Sequence, residues 1–319
     1  MIKAAILGGH TDEGGELIRI LAMHPDVEIV AAQAAGHEGR PITSRHHGLI
    51  GETDLTFTST IDYQKCDVLF VCGNSIDASG FNHLRMERPD LKIICFHPVK
   101  GVDMTASGTV YGLPEIYRKL LVRGSTAAFL PSPFASMALV ALYPLALHLL
   151  LRGDISISLS APEAILEEYS IEKARQEIEY HLREAQRSFE GNVEIKAAKS
   201  KSRRSAIMEI EMECALDYAA LLDLYEIYSD HNFAFAVTQK TGVSEVAGTN
   251  KCIVTPGMPS SGRVTLSVAA DCRLRGAAGE AVHVMNLMFG LHERTGLALK
   301  AIDYQPVDAS PDNDIPFYG

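Results

Sequence analysis

The chain has 319 residues, of which 47% are hydrophobic and 22% are charged, the balance of a globular protein long enough for two cores. Its net charge of −11, with no basic face beyond one short cluster, argues against a nucleic-acid partner. The six cysteines form no CxxC pair and no metal-ligand spacing, and we find no secretory signal. We therefore expect reduced thiols in a cytoplasmic protein without a metal site.

The first thirty residues predict the opening of a Rossmann-type α/β domain. An apolar run, Ile2 to Leu7, is typical of a buried parallel strand. A glycine-containing loop from Gly8 to Gly15 follows, and apolar residues then recur with helical spacing from Glu16 to Met23. A second apolar run, Val27 to Ala32, comes next. Strand, glycine loop, helix and strand are the elements of a nucleotide-binding unit.

The glycine loop departs from the usual dinucleotide-binding patterns. Thr11 stands where one pattern has a glycine, and Asp12 and Glu13 place two carboxylates at the helix start, where they would repel a diphosphate. The loop is therefore either a working cofactor site or a turn kept for architecture. Gln33 and Arg40, rather than an acid, follow the second strand, which favours NADP over NAD if a cofactor binds. Arg40 can equally be a solvated loop charge.

The rest of the chain alternates between strand and helix patterns. Uncharged segment 134–151 is at the lower length limit for a membrane-spanning helix, but its internal Pro144 and His148 and the absence of a basic flank before it favour a buried core helix. We expect the polar tail from Ala309 to lie on the surface. Strands are predicted at 66–73, 91–96, 126–130, 155–159, 193–195, 206–214, 251–254 and 263–270, and helices at 134–151, 163–189 (one long or two in series), 216–228 and 276–291.

Four segments occur in the order seen in a known family: the opening strand and loop, YGLPE at Tyr111–Glu115, GTNKC at Gly248–Cys252, and the long segment Gly276–Leu291. Together they resemble N-acetyl-γ-glutamyl-phosphate reductase, an NADP-dependent semialdehyde dehydrogenase of arginine biosynthesis. The resemblance implies a Rossmann-type NADP-binding-like domain (1–134 plus 275–319), an inserted α+β semialdehyde-dehydrogenase-like domain (135–274), and a homodimer or homotetramer. The cofactor-binding positions that it implies are Gly8, His10, Thr11, Asp12, Glu13, Gly14, Arg40 and Asn286.

The reactive positions of the family are altered in this chain. The family's nucleophile motif resembles N-P-G-C-[YF], and here Pro133 stands at the cysteine. Ser132 is adjacent, but the sequence shows no base near it. The family's H-x-H-x-P-E-I motif aligns with Glu172–Ile178, which puts Ala174 at the catalytic histidine. Because the losses fall on the pocket and the scaffold motifs remain, the sequence predicts that the parent reaction is absent.

The sequence offers one candidate replacement for the lost groups and one candidate anion ligand. Cys95 and His97 lie two residues apart at a strand's carboxyl end, so they share a face and could form a thiolate–imidazole pair, although buried cysteines on apolar strands are commonly inert. Arg204, in the basic segment 196–204, matches a family arginine that approaches the substrate phosphate, although a solvated basic loop accounts for it as well.

Three hypotheses follow from these patterns. The chain is a non-catalytic homologue that acts through assembly, with an active paralogue or with itself, or by sensing a small anion. Alternatively, it is an NAD(P)-dependent oxidoreductase that uses rewired residues such as Cys95 and His97. In the third hypothesis the local alignment is wrong and the parent reaction survives.

Overall fold

The computed structural model describes residues 1–103 and 108–302, so the tail predicted from Ala309 lies outside the described residues. The first of its two sheets is six-stranded and parallel, in the order β2-β1-β3-β4-β6-β5. Parallel sheets are covered on both faces, which explains why these strands are largely apolar. The strands are β1 (Ile2–Leu7), β2 (Val27–Gln33), β3 (Val68–Val71), β4 (Lys92–Cys95), β5 (Thr109–Tyr111) and β6 (Ala127–Phe129).

Helices cover both faces of this sheet. One face packs against α1 (Asp12–Leu21), α3 (Pro114–Val122) and α8 (Ala278–Met288), and the other against α2 (Ala78–Glu87). Because α8 packs on α1, this unit is built from two separate parts of the chain, and the segment from α4 (Pro133–Leu147) to just before α8 lies between them. We call this sheet with α1, α2, α3 and α8 the first domain.

The first helix begins four residues earlier than the sequence pattern indicated, at Asp12 rather than Glu16. Thr11 is its N-cap, and the Thr11 hydroxyl oxygen accepts a hydrogen bond from Gly14 N at 3.0 Å. Gly14 and Gly15, which we predicted to lie in the loop, are therefore helical. This start gives Asp12 and Glu13 positions in the first turn of the helix.

The second sheet is mixed, in the order β10-β11-β12-β9-β7-β8. Its strands are β7 (Ile155–Pro162), β8 (Val193–Ser200), β9 (Ser205–Glu213), β10 (Ala234–Ala236), β11 (Cys252–Pro256) and β12 (Arg263–Asp271). Four further helices accompany it: α4 (Pro133–Leu147), α5 (Glu163–Glu168), α6 (Ile171–Ala185) and α7 (Tyr218–Tyr225). We call this sheet with α4 to α7 the second domain.

The predicted fold class, a Rossmann-type α/β domain with an α+β domain, is confirmed. Segment 163–189 forms two helices in series, α5 and α6, because the chain is extended at Tyr169. The uncharged segment 134–151 is largely the buried helix α4, which packs on the second sheet and α6. Among the described residues, no helix has the length and apolarity needed to cross a membrane.

Candidate functional site

The site predicted from the glycine loop lies where the strand order of the first sheet reverses. The chain places β2 on one side of β1 and β3 on the other, and ligands of open α/β sheets bind in the crevice at the carboxyl ends of such strands. The loop after β1, Gly73 after β3 and His97 after β4 surround this crevice. We call it the switch-point crevice.

Close packing within the protein accounts for the glycines of the loop. Gly8 has a φ of +75°, and an added Cβ would lie 2.4 Å from Ser75 Oγ and 2.6 Å from Cys72 O. A Cβ on Gly14 would lie 2.6 Å from Gly8 O. Thr11 fixes the turn further, because its hydroxyl donates to Gly8 O at 2.8 Å.

The carboxylate of Glu13 lies inside the switch-point crevice and is almost fully buried, with 4% of the residue exposed. Its Oε2 accepts a hydrogen bond from Gly73 N at 2.8 Å. Its Oε1 accepts from the Tyr169 hydroxyl at 2.9 Å and lies 2.9 Å from His97 Nε2. Tyr169 follows α5, so the second domain supplies one of these three contacts.

Electrostatics keep Glu13 and His97 as an ion pair. Burial alone would raise the pKa of Glu13, but His97, Gly73 N–H and the Tyr169 hydroxyl outweigh it, so this pKa lies below its usual value. Burial would lower the pKa of His97, but the hydrogen bond to Glu13 and its charge raise it. The two shifts together favour a protonated imidazole facing an ionised carboxylate.

Asp12 lies at the outer edge of the same helix start. Its two oxygens lie 3.2 Å from Arg45 Nη2 and 3.4 Å from Arg273 Nη2. Arg273 follows β12 and also pairs with Glu168 at 2.6 Å. Asp12 is thus engaged from the loop after β2 and from the second domain.

A rim of histidines borders the loop. The ring of His10 stacks on that of His37 with centroids 5.4 Å apart, and His46 Nε2 lies 2.8 Å from Gly9 O. Burial, together with the neighbouring His37 and Arg45, lowers the pKa of His10. Arg40 is exposed on the same loop as His37. Of the predicted cofactor positions, His10 therefore lies on the loop after β1 and Arg40 on the loop after β2.

Asn286, the remaining predicted cofactor residue, lies within the core of the first domain. It is fully buried on α8. Its Oδ1 lies 3.1 Å from His24 Nε2, and its amide donates to Glu293 O and Thr295 O at 3.1 and 2.8 Å. These contacts give Asn286 a structural role, since they attach the chain after α8 to the helix.

The turn between β6 and α4, where the resemblance places the nucleophile, carries no nucleophile at that position. Pro133 is the first residue of α4, and Ser132 caps it by accepting from Ala135 N at 3.2 Å. A Cβ on Gly276 would lie 2.6 Å from Pro133 N, so the turn is packed tightly on the segment before α8. Ala174 is fully buried on α6.

Glu177 is a site residue that our sequence reasoning overlooked. Its Oε2 accepts from the Ser132 hydroxyl at 2.9 Å, and its Oε1 accepts from the Tyr111 hydroxyl at 2.7 Å. Ser132 N also donates to both oxygens at 3.3 Å. Burial raises the pKa of Glu177 to about 7, despite these donors. The available signal was its place in the matched segment 172–178.

The candidate pair of Cys95 and His97 does not form a thiolate–imidazole site. Cys95 is fully buried on β4, and burial raises the pKa of its thiol to about 12. His97 is engaged by Glu13 instead. All six cysteines are buried, as the inert interpretation of these thiols requires.

Arg204, predicted as an anion ligand or a solvated charge, is bound by carboxylates of the protein. Its Nη2 donates to Glu16 Oε1 at 2.6 Å, and its Nε donates to Asp271 Oδ2. The expected basic loop is also partly strand, since Lys196 and Lys199 belong to β8. Arg204 therefore links α1 of the first domain to the end of β12.

A buried charge cluster near α8 was not predicted. Arg275 is fully buried and donates to both oxygens of Glu115, at 2.9 and 2.7 Å, and to Ser136 Oγ at 2.7 Å. Glu280 Oε2 lies 3.5 Å from Arg275 Nε and accepts from Gly276 N. With two carboxylates beside one guanidinium, burial raises the pKa of Glu280, while Arg275 lowers that of Glu115 despite burial.

A cavity of about 450 Å³ lies at the end of the second sheet where β7, β8 and β12 begin and β9 ends. Three of its six polar lining residues are acidic, and all six except Ser156 are exposed. In the described part of the chain, no group of three or more His, Cys, Asp or Glu side chains could hold a metal ion. The polar residues that line the cavity are Asp154, Ser156, Asn192, Glu194, Glu213 and Arg263.

Residues 3–123 match the family model of the semialdehyde dehydrogenase NAD-binding domain. The N-acetyl-gamma-glutamyl-phosphate reductase of Phocaeicola vulgatus is 32% identical over 322 residues, covering 94% of this chain and 99% of its own length. The Bacteroides thetaiotaomicron reductase is 33% identical over 321 residues, with the same coverage.

Among solved structures, aspartate semialdehyde dehydrogenase with NADP from Candida albicans covers 91% of this chain and 98% of its own, with a TM-score of 0.66 and 13% identity. At that identity the likeness supports the fold alone. The reductases, however, exceed 30% identity over nearly the whole of both chains. On this evidence, the protein belongs to the N-acetyl-gamma-glutamyl-phosphate reductase family.

Proposed function

We propose that this family member does not carry out the reduction of an acyl phosphate through an enzyme thioester. The observation that carries the proposal is the turn before α4, where Pro133 stands at the position that the resemblance assigns to the nucleophile. Proline has no group that can attack an acyl carbon.

The surroundings of the turn supply no substitute thiol. All six cysteines are buried, and burial raises the pKa of five of them, Cys66, Cys72, Cys95, Cys252 and Cys272. A protonated, enclosed thiol is a poor nucleophile. Ala174 likewise has no group that could act as the acid or base that the family motif places there.

The proposal is tested by trapping an acyl-enzyme. The protein is mixed with N-acetyl-γ-glutamyl phosphate, quenched in acid and measured by intact mass spectrometry, with the Bacteroides thetaiotaomicron reductase as the control. We expect the control to gain the acyl mass and this protein to keep its own. An acyl group on any of its cysteines would overturn the proposal.

The function left to such a chain is assembly, with copies of itself or with an active member of the family. The second sheet supports this idea, because α4 and α6 pack on one face, while side chains of the other face, such as Ser158, Ser160, Glu211 and Thr265, are exposed. Light scattering after size exclusion should give a mass above that of the monomer at all practical dilutions, or a mixed species with an active reductase. A monomer in both experiments would contradict this part of the proposal.

A further inference from the structure

The start of α1 is covered by the second domain. Three acids lie in its first turns, Asp12, Glu13 and Glu16, and each is bound by a group from the second domain. Tyr169 donates to Glu13 at 2.9 Å, and Arg204 donates to Glu16 at 2.6 Å. A third contact joins Arg273 to Asp12 at 3.4 Å.

The second domain also fixes these groups on its own side. Arg204 is held by Asp271 at the end of β12, and Arg273 by Glu168 at the end of α5. Tyr169 is buried, with 4% of the residue exposed, and its ring lies beside that of His97, with centroids 5.6 Å apart. The contacts therefore join two braced surfaces rather than two mobile side chains.

A nicotinamide dinucleotide requires this same place. Its pyrophosphate binds at the N-terminus of the helix that follows the first strand, where backbone N–H groups and the helix dipole favour negative charge. Here the buried Glu13 carboxylate lies in the crevice and accepts the hydrogen bond from Gly73 N. The pKa of Glu13 is held below its usual value, so a pyrophosphate would meet an ionised carboxylate.

The packing of Gly8 is a second reason why the loop does not fit a nicotinamide dinucleotide. In dinucleotide sites, glycines leave room for the phosphates to approach the backbone. On the side of Gly8 where a Cβ would stand, Ser75 Oγ and Cys72 O fill the space, since they lie 2.4 and 2.6 Å from that position. A phosphate therefore cannot approach Gly8 from that side.

We infer that the second domain and Glu13 together close the switch-point crevice, and that this chain binds no nicotinamide dinucleotide there. This inference does not depend on the proposed function, since an enzyme without a nucleophile could still bind NADPH. The two ideas can fail separately: NADPH bound in the switch-point crevice without turnover contradicts only the closed crevice, whereas acylation of a cysteine contradicts only the missing nucleophile.

The first test is binding of NADPH to the wild-type protein, measured by nucleotide fluorescence and by hydrogen exchange. The Bacteroides thetaiotaomicron reductase is the positive control. We expect no saturable fluorescence change and no slowing of amide exchange in residues 8–16 and 73. Saturable binding with protection of those amides would overturn the inference. Binding that protects another region while these amides are unaffected would support it.

The second test asks whether the contacts hold the crevice closed. In the double variant Glu13→Gln/Tyr169→Phe, amide exchange at Gly73 and in the first turn of α1 should speed up at least tenfold. Glu28→Gln, an exposed acid on β2, is the matched control and should leave that exchange unchanged. Tyr169→Phe alone serves if the double variant does not fold. Unchanged exchange in a folded variant would show that these contacts do not close the crevice.

Discussion

Replacing Glu177 by glutamine should stabilise the protein at pH 8 and have little effect at pH 5. Burial raises the pKa of Glu177 from an ordinary value of 4.5 to about 7. The folded state therefore binds this proton more tightly than the unfolded state, and stability falls as the pH rises from 4.5 to 7. At about 1.4 kcal/mol per pH unit, the full cost of ionising this carboxyl group in the folded protein is about 3 kcal/mol.

Glutamine imitates the protonated form of the side chain. Its carbonyl oxygen can still accept from Tyr111, which donates to Glu177 at 2.7 Å, and it never ionises. Urea unfolding of both proteins at pH 5 to 8 should therefore show a gap in stability that opens to about 2 to 3 kcal/mol by pH 8. Glu184→Gln, an exposed acid on the same helix, is the control. A gap that does not change with pH, or a variant less stable than wild type at pH 8, would refute the reasoning.

Three further predictions concern packing and reactivity. Arg275→Met leaves Glu115 and a second carboxylate buried without a cation, and should cost about 3–5 kcal/mol in urea unfolding; a loss below 1 kcal/mol would contradict the buried cluster. Gly8→Ala should destabilise the protein more than Gly51→Ala, because both have positive φ but only Gly8 also meets Ser75, and equal effects would contradict the packing of the loop. The six buried thiols should resist Ellman's reagent until the protein is denatured, so a fast-reacting thiol in the native protein would contradict their burial.

Sequence patterns predicted well the elements whose signal is an apolar run or a clear stripe. Strands β1, β3 and β4 and helix α4 are examples. The same patterns missed β5 and β10, which have three residues each, too few to show alternation. They also missed α2, where small and polar residues such as Ser79, Gly80 and Asn82 leave no apolar stripe.

The site was predictable only in part, for a related reason. A motif comparison indicates which residue types are missing, and it is the source of the prediction that Pro133 and Ala174 stand at the family's reactive positions. Such a comparison does not show in which direction a new side chain points or what it contacts. Glu13 appeared to face a diphosphate, but it points into the crevice and meets Tyr169, 156 positions away. Contacts of such sequence separation are set by how the two domains pack, which no local pattern contains.

The most direct test of the account is a rate measurement with purified protein, NADPH and N-acetyl-γ-glutamyl phosphate. The Bacteroides thetaiotaomicron reductase, at the same concentration, is the reference. If the nucleophile is absent, NADPH oxidation should not exceed the rate without protein, since no thioester can form. Substrate-dependent oxidation that persists through repeated purification would contradict the account and return the chain to the working reductases of its family.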